Sequence, residues 1–349
     1  MTRYFNVLLI FAPVAILGEF LGWSPTLVFW SAALAVIPLA GILGEATEEL
    51  AAHTGPKLSG FLNGTLGNAA ELIITIFAIK EGLLDLVKAS ITGSILGNLL
   101  LVLGLSILLG GLRHGVQQFD RTQASVNATM LFLALIALGI PSLFSHSIEV
   151  KNHAGVEYLS LGTAAVMILI YALSVVFSFQ WGVEPELAHE AHAVTGWSVG
   201  KAVAFLIGST VFIAWLSEIL VGTVEPMVHA LGLSEFFVGI IIVPLIGNVA
   251  EHLVAVQAAM KNHMELSMSV SLGSSLQIAL FVAPALVFIS LLLGNPLTLV
   301  FDQFELIALG GAALIASSAA RDGESNWLEG AQLLVVYVII GLAFFFLPM

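Results

Sequence analysis

Cysteine is absent from this chain of 349 residues. Neither a disulfide nor a thiolate-held metal can therefore belong to its chemistry. Basic residues are scarce as well, 10 Lys and Arg against 23 Asp and Glu, for a formal charge of −13. A nucleic-acid partner asks for a basic face, so that class is excluded. Charge of either sign is rare, at 9% of residues, where a soluble domain carries roughly 25%. So few charges cannot cover a water-facing surface. Missing too are a phosphate-binding G-x-x-x-x-G-K-[ST] loop and an H-E-x-x-H metal set, so neither a nucleotide-driven pump nor a zinc hydrolase is indicated. The four aspartates (Asp85, Asp120, Asp302 and Asp322) all fall at expected helix ends, which argues against an intramembrane aspartyl dyad. The chain reads as a non-enzyme that calls for no cofactor.

What is present is apolar length. Hydrophobic residues make up 59% of the chain and the mean hydropathy is +1.05. No charge interrupts Ala89 to Leu112, Tyr158 to Val183 or Leu266 to Val300. Runs of about 20 apolar residues cross a bilayer as helices, because only a helix satisfies its own backbone there. An all-α, multi-pass membrane protein is expected, with the lipid bilayer as its surroundings. The N-terminal run carries Pro13 and Glu19 where a signal peptide would place small cleavage-site residues. It is read as a retained first helix.

Charge-free stretches between polar or Pro/Gly punctuation predict eleven helices, near 5–22, 25–52, 58–80, 86–111, 122–144, 157–181, 197–222, 233–260, 264–293, 299–320 and 326–347. With the N-terminus inside, Arg3, Lys57, Arg113, Arg121, Lys201, Lys261 and Arg321 lie on the inner side. Lys80, Lys88 and Lys151 lie outside. This balance orients the N-terminus to the cytoplasm, with the plasma (inner) membrane as the expected location.

The sequence repeats internally. Gly67-Asn68-Ala69-Ala70-Glu71 returns as Gly247-Asn248-Val249-Ala250-Glu251, 180 residues later. At the same offset Gly93 and Ser94 meet Gly273 and Ser274. "FDRTQ" from Phe119 matches "FDQFE" from Phe301, and Thr47-Glu48 matches Ser217-Glu218. Extra residues around "HALGLSEFFVG" account for the drift in register. The expected organisation is a leading helix (1–24), a first five-helix repeat (25–181), a linker (182–196) and a second repeat (197–349). Five is an odd number, so the two repeats must have opposite topology in the membrane. Inverted repeats with a site at their midplane interface are typical of secondary transporters.

Within Gly-Asn-x-x-Glu, the glutamate follows Asn by three residues and Gly by four, so all three share a helix face. Gly permits a local break, Asn68 and Asn248 offer neutral oxygens, and Glu71 and Glu251 offer carboxylates. Such oxygens suit a hard cation. Buried carboxylates without basic neighbours demand compensation. Two that face one another cannot cheaply ionise together, and titrate as a unit. A divalent cation relieves that repulsion, and so do two protons. Exchange of a divalent metal for protons is the expected consequence. The blander reading is a pair of carboxylates kept neutral or satisfied by neighbouring helices.

Further ligand candidates are Ser94 and Asn98 in "GSILGN", and Ser274 and Gln277 in "GSSLQ". Serines also serve close helix packing. His252, next to Glu251, could relay protons or be a hydrogen-bonded core residue. Glu48 and Glu218 are placed toward the cytoplasmic ends of helices 2 and 7, as relay or gating acids or as ordinary helix-end acids. Gln123 and Glu305 stay unassigned. The linker "WGVEPELAHEAHAVTGW" contributes Glu184, Glu186, Glu190, His189 and His192, either to attract cations or as a solvated connection.

These motifs resemble those of the calcium/proton antiporters of the cation exchanger family, within the wider calcium/cation antiporter superfamily. The resemblance covers nearly the whole chain and rests on the two Gly-Asn-x-x-Glu motifs with "GSILGN" and "GSSLQIALFVAP". It implies eleven helices with an inverted five-helix repeat and an acidic cytosolic segment between helices 6 and 7. It implies Glu71 and Glu251 as alternately exposed Ca²⁺ and H⁺ ligands, with Asn98 and Gln277 completing the ring. Ca²⁺ enters as transported substrate and not as a resident group. Sodium/calcium exchangers resembling this fold have an acid where Gln277 stands, so its neutrality fits proton coupling. "GNVAEH" looks like the proton-coupled branch, whereas "GNAAEL" lacks the histidine. A divalent cation channel and an antiporter for Mn²⁺ or Na⁺ remain as alternatives, and assembly of like chains is left open.

Overall fold

The computed structural model describes residues 5–54, 62, 65–149, 154–181 and 196–347. A 3₁₀ turn at Phe5–Ile10 leads into α1 (Phe11–Phe20), followed by α2 (Pro25–Ala52) and α3 (Ala69–Lys80). Then come α4 (Leu84–Leu96), a π-helical segment at Gly97–Val102 and α5 (Leu103–His114) in one continuous run. After β1 (Gln117–Gln118) stand α6 (Arg121–Glu149) and α7 (Gly155–Trp181). The order continues with α8 (Val199–Gly222), α9 (Val224–Leu231), α10 (Glu235–Phe237), a π segment at Val238–Ile242 and α11 (Val243–Gly247). Next are α12 (Val249–Met260), α13 (Met264–Gln277), a third π segment at Ile278–Val282 and α14 (Ala283–Leu293). Finally α15 (Gln303–Ala319), β2 (Glu324–Ser325) and α16 (Trp327–Phe345) complete the chain. The linker 182–196 falls almost wholly outside the described residues.

Among the described residues seven helices are long and apolar enough to cross a membrane: Pro25–Ala52, Leu84–His114, Arg121–Ile148, Gly155–Phe177, Val199–Gly222, Met264–Leu293 and Trp327–Phe345. The α2 start shows why such bounds are readable. Ser24 accepts the backbone N–H of Leu27, and Pro25 sits at the first helical position, where its missing N–H costs nothing. Four expectations need correction, the first being that the helix anticipated over 58–80 is interrupted at Gly67–Asn68, before α3. The helix anticipated over 233–260 is interrupted at Asn248, and the extra residues around "HALGLSEFFVG" run from the end of α9 through the turn after Leu231 into α10, where α9 is bent 113° from Glu235–Gly247. The helix anticipated from 299 begins at Gln303, because Asp302 and Glu305 form a capping box there. The short antiparallel pair β1–β2, with Gln117 opposite Ser325, was not anticipated.

By packing, the chain forms two compact units that cut across the sequence halves. One comprises Met1–Val87, Phe177–Ala250 and Pro348–Met349, and the other Lys88–Val176 and Glu251–Leu347. In the first, α8 lies along α2, with α1 on α2 and α3 on α8. In the second, α16 packs on α5, while α13 and α15 pack on α6. The α5–α16 crossing is tight. A β-carbon placed on Gly330 would overlap the backbone nitrogen of Leu108 and stand 2.6 Å from the carbonyl oxygen of Gly104. Small residues let membrane helices approach this closely.

Candidate functional site

The two Gly-Asn-x-x-Glu motifs build the same local structure. Asn68 leaves the helical region at φ −93°, ψ 22°, and α3 begins at the next residue. Asn248 does so at φ −106°, ψ 9°, and α12 begins at the next residue. Each glutamate thereby falls in the first turn of its helix. A helix N-terminus presents unpaired N–H groups and a partial positive charge, which favour a carboxylate in place of the missing basic neighbour. The motif is thus a device for holding an acid within an apolar run.

In the first unit, Glu71 is 1% exposed and Asn68 3%. The Thr75 hydroxyl donates to the carbonyl oxygen of Glu71 at 2.8 Å, tying the first two turns of α3. Asn248 is also buried here, and both its backbone N–H and its Nδ2 donate to the carbonyl of Pro244, at 3.0 and 3.2 Å. Gly247 comes against Glu71 without a side chain between them.

In the second unit, Ser274 joins the candidates. Its hydroxyl donates to Glu251 Oε2 at 2.5 Å and accepts from Asn98 Nδ2 at 3.0 Å. Ser94, Ser274 and Asn98 are buried, whereas Glu251 and Gln277 keep part of their surface accessible. Asn98 lies in the π segment Gly97–Val102, and Gln277 is the last residue before the π segment Ile278–Val282. A π segment re-phases the side chains that follow and loosens the backbone ladder, and such segments recur at functional sites. His252 turns a buried Nε2 that has no hydrogen-bond partner among the described residues.

Glu48 and Glu218 do not join either cluster. Both are exposed, and Glu218 pairs with Lys80 Nζ at 2.8 Å. Their placement at one cytoplasmic end needs correction. Glu218 lies in the last turn of α8, at the opposite end of that helix from Lys201, whereas Glu48 lies near the end of α2. The orientation that puts Lys201 inside puts Glu218 outside, with Lys80. Sequence reasoning also missed Thr92, whose hydroxyl donates to Glu305 Oε1 at 2.8 Å. The broken repeat symmetry at Gln123/Glu305 was the available signal.

The family model for the sodium/calcium exchanger protein matches residues 24–180 and 201–346. A Ca²⁺/H⁺ antiporter of Aphanothece halophytica is 45% identical over 368 residues, covering 99% of this chain and 97% of that one. The Ca²⁺/H⁺ antiporter ChaA of Bacillus subtilis (strain 168) is 41% identical, covering 99% of this chain and 100% of that one. Among solved structures, native YfkE is similar with a TM-score of 0.86 at 39% identity, covering 98% of this chain and 100% of that one. Two motif-bearing helix breaks, long apolar helices and likeness along the full length converge: the chain is an integral multi-pass membrane protein of the sodium/calcium exchanger family.

Proposed function

We propose that this protein is a secondary antiporter exchanging Ca²⁺ for H⁺ by alternating access, with Glu71 and Glu251 as the shared cation and proton ligands at the membrane midplane. Asn98 and Gln277 complete the oxygen set, with Asn68, Asn248, Ser94 and Ser274 beside them. His252 is a candidate proton relay. Eleven membrane helices, arranged as one leading helix and two inverted five-helix repeats, carry this machinery. The N-terminus is cytoplasmic, the membrane is the plasma (inner) membrane, and the linker faces the cytosol. Transport involves no covalent change of substrate, so no catalytic residue is assigned.

The observation that carries the reading is the doubled helix break: the same backbone turn at Asn68 and Asn248, each placing a glutamate in a helix's first turn. A carboxylate held this way can bind a divalent cation or a proton and remain compensated in either state. The unlike accessibility of Glu71 and Glu251 supports a mechanism that exposes its ligands in turn. Curated relatives named Ca²⁺/H⁺ antiporters, at 41% and 45% identity, favour this ion pair.

The test uses the purified protein in proteoliposomes. An imposed proton gradient drives Ca²⁺ uphill if the protein is an antiporter. A channel only lets Ca²⁺ equilibrate with the electrical potential. Competition by Mn²⁺ and Na⁺ in the same assay separates the remaining ion choices.

A further inference from the structure

Glu305 is a third acid in the apolar interior, one that the exchange reading does not use. It is 2% exposed and Thr92 is fully buried. Both carboxylate oxygens are engaged as acceptors: Oε1 takes the Thr92 hydroxyl at 2.8 Å, and Oε2 takes the backbone N–H of Asp302 at 2.7 Å. Lys88, one turn before Thr92 on α4, acts on it electrostatically. An acceptor with both oxygens occupied by donors is a lock more than a carrier.

The lock bears on the helix that carries the ligand candidates. Thr92 and Ser94 are two residues apart, which puts them about 160° apart around α4. Ser94 and Asn98, four residues apart, share the opposite face. The α15 helix also packs directly on the π segment that holds Asn98. From there the Asn98 amide donates to Ser274, which donates to Glu251. A rotation of α4 would break that relay at its first bond. A π segment, with its weaker ladder, resists such rotation poorly by itself.

We infer that Glu305 is a positioning residue for cation binding: through Thr92 it fixes the rotation of α4, so that Asn98 and Ser274 hold Glu251 in its binding orientation. This rests on the exchange reading above. It adds a residue that touches neither ion and assigns the pair Thr92–Glu305 to one function.

The experiment compares T92V, T92S, E305Q and E305A in full-length protein in proteoliposomes, reading the apparent KM for Ca²⁺, the maximal rate and the H⁺ to Ca²⁺ ratio. T92V is nearly isosteric and removes only the donor. It is expected to raise KM about tenfold, the scale of one lost hydrogen bond to a carboxylate, with the H⁺ to Ca²⁺ ratio unchanged. T92S restores the donor and restores KM. The E305Q amide can still accept from Asp302 and can donate to Thr92, so its KM and pH profile stay within about twofold of the unaltered protein. E305A, if it folds, matches T92V, and the double variant T92V/E305A is no worse than either single one. Normal KM in T92V overturns the inference. So does an E305Q protein with an altered pH profile or H⁺ to Ca²⁺ ratio, which would make Glu305 a proton carrier. E251Q serves as reference: if it transports normally, the exchange site itself is misassigned, whereas an inactive E251Q beside a normal T92V removes only the role of Glu305.

Discussion

Gly247 lies directly against Glu71: a β-carbon built on the glycine would stand 3.5 Å from Cβ of Glu71 and 3.6 Å from its Cα. The first residue of the second motif thus touches the last residue of the first. That spacing is ordinary contact for one methyl group, with the Glu71 backbone as its neighbour. G247A is therefore expected to fold and to keep its Ca²⁺ KM within about threefold, at the low end of overpacking costs. G247L, which adds bulk beside the Glu71 backbone, should lose Ca²⁺ uptake. Transport assays on the two variants check this, and a fully active G247L would show that the contact is dispensable.

Removing the titratable oxygens should be decisive. E71Q and E251Q keep size and polarity but cannot hold two exchangeable charge states, so each is expected to reduce Ca²⁺/H⁺ exchange to the background of empty vesicles. Thermal melting in detergent should stay close to that of the unaltered protein. Near-normal exchange by either variant would break the two-carboxylate assignment.

Gln277 is the last residue before a π segment and, in the proposed site, one of its neutral ligands. Q277D adds a carboxylate, raising the cost of an empty site and inviting monovalent cations as extra compensation. Weaker proton coupling and an acquired sensitivity to Na⁺ are expected. If the pH profile is unchanged and Na⁺ has no effect at any concentration, Gln277 does not face the ion.

Protons and Ca²⁺ that share carboxylates must compete, and linkage gives the sign. Lower pH fills the carboxylates with protons, so the apparent Ca²⁺ affinity falls as pH falls, by about tenfold per pH unit for each proton displaced. The slope of log affinity against pH must equal the number of protons released per Ca²⁺. Calorimetry in buffers of different ionisation enthalpy counts those protons independently. Flat affinity between about pH 5 and 8, with no proton release, would separate the two ligands.

The α5–α16 crossing predicts a stability effect far from the ion. Because the atoms nearest a Gly330 β-carbon are backbone, no rotamer change can make room. G330A is expected to destabilise the protein by about 1–3 kcal/mol, the usual cost of overpacking, read as a lowered melting temperature. Substitution at the exposed Gly115 to serine is an unsuitable control, since its φ of +80° adds strain of its own. Gly162, with open space around it, serves better.

Much of this was legible in the residues. The bounds of α2 follow from Ser24, Pro25 and an apolar run, and the structure reproduces them at 25–52. The two glutamates stood out because charge inside hydrocarbon needs a reason. The π segments were not legible: Gly97–Val102 and Ile278–Val282 read as ordinary apolar helix, since a one-residue change in hydrogen-bond register leaves no mark on hydropathy. Thr92–Glu305 was hidden for another reason. A contact over 213 residues of sequence is set by tertiary packing, and the repeat comparison could only flag that Gln123 and Glu305 differ. Glu218 stands at the end of α8 away from Lys201 and pairs with Lys80, a contact set by tertiary packing that hydropathy does not display.

The break at Asn248 also constrains how the protein can be made. The α12 helix has 12 residues, a rise of about 18 Å, against a hydrocarbon thickness of about 30 Å. Standing alone it cannot cross, and the interrupted backbone before it has donors and acceptors that lipid cannot satisfy. As the nascent chain leaves the insertion machinery, this segment therefore has to wait beside protein until the elements that cover the break have arrived. Biogenesis of this part of the chain is then a collective event, and a ribosome stalled shortly after Met260 should leave Glu235–Met260 incompletely integrated.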